Sequence, residues 1–315
     1  MAKFGPLEDK LVVLIGGSGF IGTHLAQDLL ERGARLRVCA RAPEHANRLK
    51  PLANLGQLQF ARCDAADPRS VEACVQGADA VVYLVGTFGK DQQALQAEGA
   101  GHAARAAAAT GADSFVYVSS IGADPANDTG YFRTKGEGEN QVREAFPTAT
   151  VIRPSAVFGE DAGFVPMFAQ LVQSMPVIPV FGAQSTLQPV WVDDLAEAIG
   201  NGLADPASHG GKIYEAAGPE VLTMEKIFRD MAAGQARNPV FFPMPDALAK
   251  LVAILPLAPI SSEQLAMLKE NNVATPDMPG LAALGVQAHP LSLFLERWMV
   301  SYRKHGRFTQ TRKPA

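Results

Sequence analysis

The segment YVSSIGADPANDTGYFRTK, residues 117–135, places Tyr131 four positions before Lys135. Side chains at i and i+4 share one face of a helix. A tyrosine and a lysine so placed can form a proton-transfer pair beside a nicotinamide ring. They also suit a chain that holds a nucleotide and performs no reaction. The elements that position the pair bear on which of these applies.

Short apolar runs alternate with longer helical stretches through the first half of the chain. LVVLI (11–15), LRVCA (36–40), LQF (58–60), AVVYLV (80–85), FVYVS (115–119) and TVIRP (150–154) read as strands. They are apolar on both faces, as parallel strands covered by helices must be. Residues 20–33, 68–77, 91–111 and 131–146 read as the intervening helices. This alternation predicts an α/β fold, a Rossmann-type doubly wound parallel sheet, with a smaller mixed C-terminal lobe. The expected boundaries are 1–155 for the nucleotide-binding domain, 156–302 for the small lobe and 303–315 for a basic tail. Some elements of the lobe, notably VWVDDLAEAIGNGL (190–203), are expected to return to the main domain.

The first strand runs into GGSGFIG, with Gly16, Gly19 and Gly22 at G-x-x-G-x-x-G spacing and Gly17 as an extra. Glycines allow a tight turn and close approach of the backbone to a diphosphate. The helix that follows offers free N–H groups and the positive end of its dipole. The strand–turn–helix context makes the motif specific, and Ser18, Phe20 and Ile21 join the glycines as cofactor-binding candidates.

No acid closes the second strand, whereas a carboxylate there would accept from a ribose 2′-hydroxyl and repel a 2′-phosphate. Arg41 stands there instead, either as a partner for a 2′-phosphate or as a solvated surface arginine. NADP(H) is thus favoured, with NAD(H) open. Asp64 follows the third strand, placed to accept from the adenine amino group with Ala65 beside it, or to help cap the next helix with Asp67 and Pro68. The turn after the fourth strand, LVGTFG (84–89), would lie over the adenosine and diphosphate, with Leu84, Val85 and Gly86 as the binding candidates.

The motifs GGSGFIG, YVSS, Tyr131-x-x-x-Lys135, RPSAVFG (153–159) and VWVDDLAEAI (190–199) resemble the short-chain dehydrogenase/reductase superfamily, in its extended and atypical, epimerase/dehydratase-like branch. The resemblance implies that Tyr131 is the general acid/base. It implies that Lys135 binds the nicotinamide ribose and lowers the tyrosine pKa, and that Pro154 and Ser155 meet the carboxamide. It also implies a hydroxyl after the fifth strand, where this chain has Ile121. Ser119 and Ser120 come one or two residues early, Ser119 being the candidate to sit near the nicotinamide, and Ser120 or Thr129 is a possible substitute.

YFRTKGEGENQVREAFPTATVIRPSAVFG, QPVWVDDLAEAI, VFFPMPDALAKLVAILPLAPISSEQLAML and MPGLAALGVQAHPLSLFLERWMVSYR extend a likeness to the NADPH-binding accessory subunits of respiratory complex I and their bacterial relatives. That likeness implies NADPH in a structural or redox-sensing role and respiratory-chain partners near the membrane. The alternative is an active NAD(P)-dependent oxidoreductase or epimerase/dehydratase acting on a small carbonyl, quinone-like or sugar-nucleotide substrate.

In the second half, Asp193 and Asp194 read as helix caps or as a catalytic carboxylate, Arg153 as the partner of an acid, and Phe158, Phe164, Met167, Phe168 and Gln188 as pocket walls or as core. FFPMPDALAKLVAILPLAPI reads as a lid or core helix, or as a surface facing a partner or membrane. The tail carries Arg303, Lys304, Arg307, Arg312 and Lys313. It reads as a contact for anionic lipid or an acidic partner, or as a solvated terminus.

Net charge is −4, with 47% hydrophobic and 19% charged residues, so nothing global points to nucleic acid. The N-terminus shows no leader, and no apolar run is long enough to span a bilayer. Cys39, Cys63 and Cys74 have neither CxxC spacing nor histidines at ligand distance, and no metal is expected. These features predict reduced thiols in a cytoplasmic protein, with any membrane contact peripheral and on the inner face.

Overall fold

The computed structural model describes residues 5–161, 163–253 and 260–304. The chain divides into two compact units, each assembled from separated segments. The first comprises residues 1–154, 192–216 and 274–287, and the second the intervening segments and the C-terminus.

In the first unit, strands β1 (Leu11–Ile15), β2 (Arg35–Ala40), β3 (Leu58–Arg62), β4 (Ala80–Tyr83), β5 (Ser114–Val118) and β6 (Thr150–Pro154) alternate with helices α1 (Phe20–Glu31), α2 (Pro68–Val75), α3 (Gly99–Thr110) and α4 (Gly130–Ala145). Every residue of β1, β4 and β5 is buried, the pattern of strands covered on both faces. Helix α1 buries Leu25, Ala26, Leu29 and Leu30 at helical spacing. Helix α3 buries five alanines, whose small side chains admit the neighbouring helices α2 and α4 closely. A single π-helical turn, Gln93–Glu98, precedes α3.

The chain then enters the second unit with β7 (Val157–Phe158), α5 (Phe164–Ser174), β8 (Val177–Val180), β9 (Thr186–Leu187) and β10 (Val190–Trp191). It returns to the first for α6 (Val192–Ala204), α7 (Pro206–His209) and β11 (Ile213–Ala216). The sequence reading does not include β11, which completes a parallel seven-stranded sheet of order β11-β6-β5-β4-β1-β2-β3. The order reverses between β1 and β4, and ligands bind beyond the strand ends at such a switch point. The QPVWV run contributes only the two residues of β10.

The second unit continues with β12 (Leu222–Thr223), α8 (Met224–Gly234), β13 (Val240–Pro243), α9 (Asp246–Ala253), α10 (Ser262–Met267) and α11 (Ser292–Trp298). Among the described residues its strands join in pairs: β7 with β10, β8 with β13 and β9 with β12. Aromatic side chains fill its core: Phe158 lies edge-on to Phe294 and Trp298, and Phe168 stacks on Phe228. Phe158 and Phe168 are thus core residues, while Met167 is exposed. The apolar stretch predicted as a lid or partner helix is helical over Asp246–Ala253; residues 254–259 lie outside the described residues, as do Arg307, Arg312 and Lys313 of the tail. No helix among the described residues is long and apolar enough to cross a membrane.

Candidate functional site

The turn after β1 is built from backbone. Gly16 adopts φ +85, a left-handed conformation that favours glycine. Its N–H donates to the Cys39 carbonyl at 2.8 Å. A Cβ on Gly17 would lie 2.7 Å from the Leu14 Cβ, and one on Gly22 only 2.6 Å from the Gly17 Cα. These two glycines let α1 start directly against the turn. Gly19 is different: its Cβ would meet only the Gly16 carbonyl oxygen, at 3.4 Å. Space within the protein does not require glycine there. Gly19 is also the N-cap of α1, and no side chain caps that end. Uncapped N–H groups at the positive end of a helix fit a diphosphate. Ser18, Phe20 and Ile21 are half-buried around it.

The neighbouring strand ends meet this turn. A Cβ on Gly16 would be 3.3 Å from the Val85 backbone nitrogen, and the Leu84 N–H donates to the Ile15 carbonyl at 2.9 Å. Gly86 is exposed beside the Lys135 amine. Arg41 is exposed immediately after β2 and makes no hydrogen bond or ion pair with another described residue. Asp67 caps α2 by accepting from the Arg69 N–H, with Pro68 in its first turn. Asp64 does not share that cap. It accepts from the Ala66 N–H at 3.0 Å and remains exposed, while Ala65 is buried.

Helix α4 carries Tyr131, Lys135 and Glu139 one turn apart on one face. The Lys135 amine is fully buried and donates to the carbonyls of Val118 at 2.8 Å and Val85 at 3.1 Å. Burial lowers its pKa to about 7, against a smaller opposing pull from the Glu139 charge. The Tyr131 ring is half-buried and stacked on Phe88, centroids 4.8 Å apart.

The turn after β5 is built from side chains. The Ser119 hydroxyl donates to the Glu139 carboxylate at 2.5 Å, and that carboxylate also accepts a bidentate pair from Arg153 at 2.8 and 2.7 Å. The Ser120 hydroxyl donates to the Ile121 carbonyl. Ile121 is buried, its N–H bonded to the Pro154 carbonyl. Ser119 therefore lies close to Lys135, but its hydroxyl proton is engaged by Glu139. Pro154 ends β6 against this turn, and the buried Ser155 donates its hydroxyl to the Gln188 carbonyl in the second unit. Arg153 pairs with an acid as expected, and Glu215 lies on its other side at 4.0 Å.

Asp193 and Asp194 occupy the first turn of α6 rather than the N-cap, because the helix begins at Val192. There they favour the helix dipole, and Asp193 bonds the His24 ring at 2.5 Å. Two residues of the site escape the sequence reading: Gln96 and Glu139. Glu139 has a signal, being four residues beyond Lys135. Gln96 has none. Its buried side chain accepts from the Thr87 N–H and donates to the Thr134 hydroxyl, tying the turn after β4 to α4.

Residues 16–169 match the family model described as NAD(P)H-binding. The chain is 28% identical over 295 residues to the mitochondrial NADH dehydrogenase (ubiquinone) 1 alpha subcomplex subunit 9 of Mus musculus, covering 90% of this chain and 78% of that one. It is 32% identical over 195 residues to a ceramide reductase of Caulobacter vibrioides, covering 60% and 59%. In fold it is similar to a nucleoside-diphosphate-sugar epimerase from Staphylococcus aureus, with a TM-score of 0.71 at 13% identity over 91% and 99% of the two chains. A backbone cradle at the switch point, a buried lysine under the turn after β4 and these likenesses agree: residues 16–169 form an NAD(P)H-binding domain, and the chain takes a nicotinamide dinucleotide as cofactor.

Proposed function

We propose that the chain holds NADP(H) as a structural or redox-sensing element of a respiratory assembly, with complex I-type subunits as partners on the inner face of the membrane. The observation that carries this reading is the turn after β5. Where a substrate-orienting hydroxyl is expected, a buried Ile121 stands, and the hydroxyls of Ser119 and Ser120 are both committed as donors within the protein. By contrast, the turn after β1 keeps the glycine spacing expected of a nucleotide-holding site. The exposed, unpaired Arg41 supports the preference for a 2′-phosphate. Similarity to the NADH dehydrogenase subunit over most of the chain supports the assembly role.

A second reading, an NAD(P)-dependent oxidoreductase or epimerase/dehydratase, draws on Tyr131 and Lys135 and on the reductases among the relatives. A bound nicotinamide exchanges hydride with a carbon centre; Tyr131 would hold the proton at its hydroxyl, with Lys135 as its electrostatic support. The test is to denature the purified protein, identify the released nucleotide by mass spectrometry, and then offer carbonyl, quinone-like and sugar-nucleotide compounds to the native protein. NADPH should co-purify without turnover. Turnover abolished by Tyr131→Phe would establish the second reading, and purification without dinucleotide, together with no binding on titration, would refute both.

A further inference from the structure

Phe88 is 50% exposed, in the turn between β4 and the π-helical turn. A lone exposed apolar side chain is ordinary, but the backbone on both sides of this one is held. The Thr87 N–H donates to the buried Gln96 side chain at 3.1 Å, and the Gly89 N–H donates to the Thr87 hydroxyl at 3.0 Å. Gln96 in turn donates to the Thr134 hydroxyl of α4 at 2.8 Å, and that hydroxyl lies 2.9 and 3.2 Å from the carbonyl oxygens of Gly130 and Tyr131. The turn is therefore tied to α4 within one helical turn of Tyr131.

This register lays the Phe88 ring on the Tyr131 ring, with centroids 4.8 Å apart and planes inclined by 28°. Aromatic rings attract one another at such a separation. The buried Phe132 also meets Tyr131, at 5.7 Å and 77°. The tyrosine thus contacts one ring that belongs to the core and one that stands in solvent.

We propose that Phe88 is a specificity-determining cap: it closes one face of the Tyr131 ring and limits by size what reaches the tyrosine from solvent, with Gln96 as the positioning residue that keeps it there. A molecule approaching that face must displace the phenylalanine or pass beside it. Displacement separates the stacked rings, and moving the turn leaves the buried Gln96 oxygen without its donor. Passage beside the ring favours small molecules. Gly86 and Gly89 bracket the turn and add no side chain of their own, so the cap is a single ring. It stands whether or not the tyrosine reacts; its effect on the choice of substrate alone rests on the second reading above.

The experiment measures how readily reagents reach Tyr131 and needs neither nucleotide nor turnover. The folded, full-length protein is treated in separate arms with iodine, a small electrophile, and with p-diazobenzenesulfonate, a bulky planar one. Both substitute the tyrosine ring beside its hydroxyl. Modified tyrosines are mapped by peptide mass spectrometry, with the half-buried Tyr302 as the reference on the same molecule. Phe88→Ala should raise modification of Tyr131 relative to Tyr302 about fivefold with iodine, the scale of one aromatic stack, and further with the diazonium reagent. Phe88→Trp keeps a ring and should stay near the wild type. Gln96→Met keeps the volume but removes both hydrogen bonds, and should reproduce the gain of Phe88→Ala. An unchanged ratio in Phe88→Ala, an equal gain for the two reagents, a Phe88→Trp protein as reactive as Phe88→Ala or a folded Gln96→Met protein as slow as the wild type would each overturn the proposal. Circular dichroism checks the fold of each variant. Because Phe88 is exposed, its two variants carry the test if Gln96→Met does not fold.

Discussion

The turns after β1 and β5 stand at the same edge of one parallel sheet but are made of different materials. The first is backbone: its glycines leave amides and carbonyls as the working groups. The second is side chain: Ser119, Ser120, Glu139 and Arg153 bond one another, and Ile121 is buried among them. A site made of amides tolerates many sequences but not an added Cβ. A site made of side chains loses a chemical group with each substitution while the fold persists. Nucleotide holding and catalysis can therefore part company within one molecule.

The largest effect is expected from Gly22→Val, whose Cβ would fall 2.6 Å from the Gly17 Cα. It should destabilise the protein by about 1–3 kcal/mol and abolish dinucleotide binding, read by thermal melting and calorimetric titration. Retained affinity would break the contrast at its stronger end. Next, Arg41→Ala should weaken NADPH binding about tenfold and leave NADH unchanged in parallel titrations.

Lys135 ties the turn after β4 to the end of β5, and its prediction concerns pH. Its folded pKa of about 7 lies below the ordinary lysine value of 10.5, so the unfolded chain binds more protons between those values and stability rises with pH across that window. Below it the lysine is charged in both states, and the burial penalty is fully present. The melting temperature of the wild type should therefore rise relative to Lys135→Met between pH 7 and about 9, and parallel curves would remove the buried charge from the account. The smallest effect belongs to Ile121→Ser. Loss of the buried side chain should cost about 2 kcal/mol, and Tyr131-dependent reduction of a carbonyl probe should rise no more than about threefold, a change of less than 1 kcal/mol in barrier. A large gain would show that one hydroxyl was all that catalysis lacked.

Most of the sheet is legible in the sequence because its strands are continuous apolar runs and its glycines sit at fixed offsets. Strand β11 is not. IYEA is short, carries the buried Glu215 and follows a Gly-Gly pair. It becomes a strand only because β6 offers it an edge. The Tyr131–Lys135 spacing is local and readable, whereas the engagement of Ser119 depends on Glu139 arriving from twenty residues away. Phe158 and Phe168 look alike as pocket wall or core, since an aromatic side chain does not announce what it faces; both prove to be core. Gln96 depends on a π-helical turn that no periodicity announces.

The discontinuous make-up of the first unit bears on any attempt to shorten the protein. A fragment stopping near residue 155 would keep every glycine of the turn, Tyr131 and Lys135. It would lack α6, through whose Asn201 and Asp193 helix α1 is tethered at Arg32 and His24, and β11, leaving β6 as a bare, self-associating edge. A minimal dinucleotide binder cut from this chain must be spliced from three stretches, and a linear truncation should precipitate with its motif intact.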